Sequence, residues 1–145
     1  MASNRKTIID AVVSACAGIS GVKDASQEFK VWWNLLPHQY PRIIVMAEET
    51  DLERFAYLSS TDNDMQATMN ITVTGYVFDE HNDLATKRTD LIKDIETAVV
   101  GDSTLSGLVL SVTPGSIRRD NGGLDNYSIC DVDFEIEYLY NHASP

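Results

Sequence analysis

Between Asp90 and Gly107 the chain spells out a helix, its end, and re-entry into a strand. Leu91, Ile92, Ile95, Ala98 and Val99 recur on one helical face, and Gly101 supplies a C-terminal stop. The polar loop Asp102-Ser103-Thr104-Leu105-Ser106-Gly107 then leads to a new apolar run. A helix with a single apolar stripe must bury it against another element, and the only broad surfaces this sequence offers are strands. This restricts the fold to helices laid on a sheet.

The strands are read from alternation. Met65, Ala67, Met69, Ile71, Val73 and Val77 mark one face of a long strand, and Gln66, Thr68, Asn70, Thr72 and Thr74 mark its other face, which ends in Tyr76 and Phe78. Val132, Phe134, Ile136, Tyr138 and Tyr140 form the apolar face of a closing strand. Phe29, Val31, Trp33 and Leu35 alternate with Glu28, Lys30, Trp32 and Asn34, predicting a strand that Pro37 and Pro41 terminate. Arg42 to Glu48 follows as another, with Ile43, Ile44, Val45 and Met46 apolar on both faces; helices or a neighbouring subunit must cover both sides. A short strand is expected over Arg54–Leu58, with a turn over Ser59–Asp64.

A first helix is predicted from about Ser3 to Gly18, with Ile8, Ile9, Val12, Val13 and Cys16 on its buried face and Ser3 or Asn4 as cap. Asn82 or Asp83 caps the second helix, whose stripe begins at Leu84 and whose Asp83–Lys87 pair is favourably oriented. Leu108, Leu110 and Val112 open a strand that Pro114-Gly115 should stop, and Asn121-Gly122-Gly123 signals a hairpin. The expected fold is α+β: a mostly antiparallel sheet with two helices packed on one face, in a single domain over residues 1–145.

Charge narrows the functions. The 145 residues include 22 acidic and 11 basic side chains, a formal net charge of -11. Such a surface repels phosphates and anionic membranes. The adjacent basic pairs Arg5-Lys6, Lys87-Arg88 and Arg118-Arg119 are too thin for a nucleic-acid footprint. No segment reaches the roughly 20 apolar residues of a membrane span, and Asp10 interrupts the run after Arg5-Lys6, so a secretory signal is not expected. Without one, the acceptor-like Asn70-Ile71-Thr72 and Asn126-Tyr127-Ser128 are read as coincidental. Cys16 and Cys130, far apart and each on an apolar face, read as buried reduced thiols.

Asp131, Asp133, Glu135 and Glu137 are the sharpest local feature. Their period of two places all four carboxylates on one face of the last strand, roughly 7 Å apart. Converging carboxylates can serve a glycosidase pair or a divalent cation. Here no His or Asn is interleaved, and a strand spaces the groups evenly, so a solvated acidic face is the stronger reading. His38, His81 and His142 lack ligand-like spacing, no serine sits in a G-x-S-x-G elbow, and neither cysteine has a neighbouring base. No cofactor, metal or catalytic residue is assigned. Trp32 and Trp33 point to opposite faces of their strand, so one enters the core while the other is buried by a helix or offers an interface anchor. Arg118 and Arg119, near the expected hairpin tip, suit either an acidic patch on a neighbour or a solvated turn.

From about Arg5 to Tyr140 the pattern resembles the tail terminator (tail completion) proteins of long-tailed bacteriophages. It is carried by the Ile8-Ile9-Asp10-Ala11 helix, the passage from Leu36-Pro37 to Ile43-Ile44-Val45, and the strand Ile71-Thr72-Val73-Thr74-Gly75-Tyr76-Val77. The helix end Ile95-Glu96-Thr97-Ala98-Val99 with its Asp102-x-Thr104-Leu105-x-Gly107 loop, and the strand Asp131-Val132-Asp133-Phe134-Glu135-Ile136-Glu137-Tyr138, complete it. Order and spacing carry the likeness. It implies a non-enzymatic virion protein, assembled in the host cytoplasm, that forms a homo-oligomeric ring, usually a hexamer, in the neck region of the tail. The ring would cap the head-proximal end of the tail tube, stop its polymerisation and dock to the head connector, while DNA passes through without specific binding. Trp32, Trp33, Arg118 and Arg119 are then candidate interface residues, and Asp131, Asp133, Glu135 and Glu137 candidate channel-lining ones. The alternatives are a neck or head-completion protein docking to the portal, and a small acidic metal-dependent hydrolase resting on the four carboxylates.

Overall fold

A computed structural model describes residues 5–27, 41–54, 64–78, 84–101, 105, 109–119 and 127–141. In chain order the elements are α1 (Arg5–Ala17), β1 (Asp24–Ser26), β2 (Arg42–Arg54), β3 (Asp64–Phe78), α2 (Leu84–Val100), β4 (Ser111–Arg119) and β5 (Tyr127–Asn141). The five strands form one sheet in the order β1-β2-β3-β5-β4, antiparallel except for the short β1–β2 pair. This is the α+β architecture that the alternation and the helical stripes imply.

Both helices lie on the same face of the sheet. Ile8, Val12 and Cys16 of α1 and Leu91, Ile92, Ile95 and Val99 of α2 are buried. They join one core with Ile43 and Val45 of β2, Ala67 to Val77 on alternate positions of β3, and Val132, Phe134, Ile136 and Tyr138 of β5. At roughly 25 cal/mol per Å² of apolar surface removed from water, this face supplies the main drive for folding. Gly75 of β3 sits where α2 crosses the sheet. A Cβ there would come within 2.7 Å of Leu91 Cδ2 and 3.1 Å of Cys130 Sγ, so the missing side chain sets how closely α2 packs.

α2 stops as its sequence suggests. The Gly101 N–H donates to the Thr97 carbonyl at 2.9 Å, and a Cβ at Gly101 would lie 2.3 Å from that same oxygen. In the following turn Leu105 is buried against the core and takes a φ of 47°. The left-handed conformation costs about 1–2 kcal/mol for a leucine, which burial of its side chain offsets. Leu105, the single apolar residue between Asp102 and Gly107, thus joins the core.

Three expectations change. β2 was expected to be apolar on both faces through Met46. Ile43, Ile44 and Val45 are at most 1% exposed, but Met46 is 43% exposed. The helices cover only alternate residues, and the opposite face is apolar at one end only, where Ile44 and Tyr76 pack with Phe78 and Ile129. β2, expected to end at Glu48, runs on to Arg54 across a register shift between Glu48 and Asp51, and the remainder (55–58) of the short strand expected from Arg54 lies outside the described residues. Pro114-Gly115 does not stop β4. The strand continues to Arg119 with a register shift between Pro114 and Ile117. An edge strand tolerates proline because the missing N–H has no ladder partner to lose, and a bulge absorbs the irregularity.

β4 and β5 pair antiparallel in sequence order, as a hairpin requires, although Asn121-Gly122-Gly123 lies outside the described residues. So do the predicted strand Phe29–Leu35, the caps Asn82 and Asp83, and His38, His81 and His142. Cys16 and Cys130 are both free and buried. Burial pushes the Cys16 thiol up to about 12, and the Cys130 thiol donates to the Gly75 carbonyl at 3.7 Å. Among the described residues no helix is long and apolar enough to cross a membrane.

Candidate functional site

The acidic residues of β5 occupy the face turned away from the helices, because Val132, Phe134, Ile136 and Tyr138 take the other. Register then determines their neighbours. On β3, Thr74 lies opposite Asp131, Thr72 opposite Asp133, Asn70 opposite Glu135 and Thr68 opposite Glu137. A row of hydroxyl and amide donors therefore runs beside the row of carboxylates. Thr74 Oγ1 donates to Asp131 Oδ1 at 2.7 Å, and Thr72 Oγ1 donates to Asp133 Oδ1 at 2.8 Å.

Arg118 approaches from the other side. It pairs with Asp131 across the β4–β5 ladder, and its guanidinium reaches Asp133 with both terminal nitrogens. Nη1 donates to Oδ2 and Nη2 to Oδ1, the latter at 3.0 Å, while Nη2 stands 3.9 Å from Asp131 Oδ2. This two-pronged contact holds the Asp133 carboxyl below its ordinary range, with the Thr72 hydroxyl helping and partial burial opposing. At the apolar end of the same face the Tyr76 hydroxyl is raised, by burial first and then by the negative charge of Asp131.

The row of four is thus not uniform. Asp131 and Asp133 are tied into a lattice spanning β3, β5 and β4, Glu135 is exposed, and Glu137 is half-buried. Sequence reading placed Arg118 near a hairpin tip; it stands inside β4, and an acidic partner for it lies on its own chain. Arg119 follows as the last residue of β4, and Trp32 and Trp33 lie outside the described residues. Alternation assigns the threonine donors to a face but not to a partner; only register does that.

The Asp133 interaction has a sign that pH exposes. A carboxyl with a lower pKa in the folded chain stabilises the fold above its unfolded value, near 3.8. That contribution is lost as pH falls through the folded value. Asp133→Asn should therefore be less stable than wild type at pH 6, with the difference shrinking by pH 2. Both partners are partly exposed, so about 0.5–1 kcal/mol is expected. Urea midpoints at the two pH values measure this; a constant difference would contradict it.

Among the described residues no group of three His, Cys, Asp or Glu side chains converges as metal ligands do. What the face can do is present a dense, partly hydrogen-bonded acidic surface. The fold is a five-stranded sheet that carries two helices on one side and a largely polar face on the other. No protein-family model matches the sequence, and no curated protein matches it either. In three dimensions it is similar to a chain of the virion of a native gene transfer agent particle, with a TM-score of 0.59 and 9% sequence identity. The similarity covers 94% of this chain and 95% of the other. At that identity the two share a fold.

Proposed function

We propose that this protein is a structural component of a phage-like virion, a tail terminator that closes into a hexameric ring on the head-proximal end of the tail tube. There it stops tube polymerisation and joins the tail to the head connector. The observation that carries this reading is the likeness, over nearly the full length of both chains, to a gene transfer agent virion chain. The order of helices and strands that resembles tail terminators supports the finer role. Such a protein works by assembly, and its partners are further copies of itself, the tube protein and a connector protein.

In this reading the face bearing Asp131, Asp133, Glu135 and Glu137 lines or borders the central channel. Duplex DNA carries a negative charge about every 1.7 Å, and a basic wall would hold it through counterion release. An acidic wall leaves the DNA hydrated and free to slide. Electron microscopy of the protein mixed with tail tubes tests the role through a ring seated on one tube end. Attachment to the portal in place of the tube would assign the protein to the neck instead.

A further inference from the structure

The sheet has two dissimilar edges. On one side lies β4, which among the described residues pairs only with β5. On the other lies β2, which β1 covers only at Arg42–Ile44, so that from Val45 onward it pairs, among the described residues, only with β3. The large apolar side chains exposed among the described residues are Met46, Leu110 and Ile117, at 43%, 46% and 47%. Met46 is on β2, Ile117 is on β4, and Leu110 immediately precedes β4. Singly, an exposed aliphatic residue means little. Here they sit at opposite edges of one sheet.

Charge divides along the same line. β4 contains no acidic residue, and of its two arginines Arg118 is held by Asp133 of its own chain while Arg119, opposite Cys130, falls on the helix side with Ile117. β2 from Glu48 to Arg54 contains Glu48, Glu49, Asp51 and Glu53 against the one basic Arg54. We infer that the β4 edge of one copy docks on the β2 edge of the next, the partner being a second copy of this chain. This rests on the ring reading above and names the contact that closes the ring.

The geometry is that of overlapping shingles. Ile117 lies opposite Val132, on the helix side of the sheet, whereas Met46 lies opposite Thr72, on the acid-hydroxyl side. The helix-side surface of one β4 edge can therefore rest on the acid-hydroxyl surface of the next β2 edge. Unlike patches meet, so the contact is heterologous and must either close into a ring or run on as a filament. Pro114 and the adjacent bulge interrupt the outer backbone of β4, which disfavours a continuous intermolecular ladder. Side chains and charge, more than main-chain pairing, hold this joint.

Thiol cross-linking tests it. Met46→Cys and Ile117→Cys replace exposed side chains, and the native Cys16 and Cys130 are buried away from reagent. With a short bismaleimide on tube-bound protein, the double variant should give a covalent ladder up to the closed ring. Each single variant should stay monomeric, and a mixture of the two singles should stop at dimers. Dimers from either single variant, or no ladder from tube-bound rings of the double variant, would overturn the interface while leaving the ring intact. If wild-type protein forms no ring on tubes at all, the ring reading falls first and this interface with it.

Discussion

Particles assembled without this chain should carry tails of uncontrolled length, and tail-less heads should accumulate beside them. An uncapped tube end still presents the surface that each incoming tube ring recognises, so growth continues until subunits run out. The same end lacks the surface to which a head connector binds, so the loss of joined particles should be close to complete. Negative-stain microscopy of a lysate from a deletion strain reads both effects at once, as the spread of tail lengths and the fraction of heads with tails. Restoring the gene in trans should return both to normal. Tails of normal length joined to heads in the deletion strain would exclude the terminator role.

The second large effect concerns the acidic face. Six copies would bring about 24 carboxylates to the channel, four from each subunit, if the ring closes as a hexamer. Replacing Asp131, Asp133, Glu135 and Glu137 by Lys turns that wall basic, and release of counterions from DNA should then hold the genome in transit. DNA ejection should slow strongly at low salt and recover as salt is raised, because the attraction is screened. The structure adds a control. Asp131 and Asp133 hold Thr74, Thr72 and Arg118, whereas Glu135 is exposed. Glu135→Lys with Glu137→Lys should therefore slow ejection without breaking the Arg118–Asp133 contact, and the fourfold variant should slow it further at a modest cost in stability. The core face of β5 is untouched in both. Ejection at the wild-type rate from the fourfold variant, or these side chains found on the outer rim of the ring, would refute a channel-lining role.

How much of this was legible beforehand follows from what periodicity can encode. The two helices, the long β3 and the closing β5 each repeat an apolar pattern over 13 to 17 residues, long enough to fix both type and buried face. β4 outruns its expected end because Pro114-Gly115 is a stop signal in isolation, and only its position at a sheet edge makes it tolerable. Periodicity does not carry β2 to Arg54, because Glu48 to Glu53 is acidic and the strand shifts register between Glu48 and Asp51. The acidic row itself was plain, since a period of two survives in any strand. The ties of Asp131 and Asp133 were not, because Thr72, Thr74 and Arg118 come from other strands and meet these two carboxylates only through long-range register. Partner surfaces were the least legible, because no periodicity marks a face meant for another molecule.

The most direct measurement is a cryo-electron microscopy reconstruction of tail tubes incubated with this protein. One closed ring, six-fold symmetric, is expected at the head-proximal end of each tube and absent from the other end, with tubes so capped failing to elongate when fresh tube subunits are added. Tubes that keep growing with the protein present, or protein bound along the tube wall and not at its end, would contradict it.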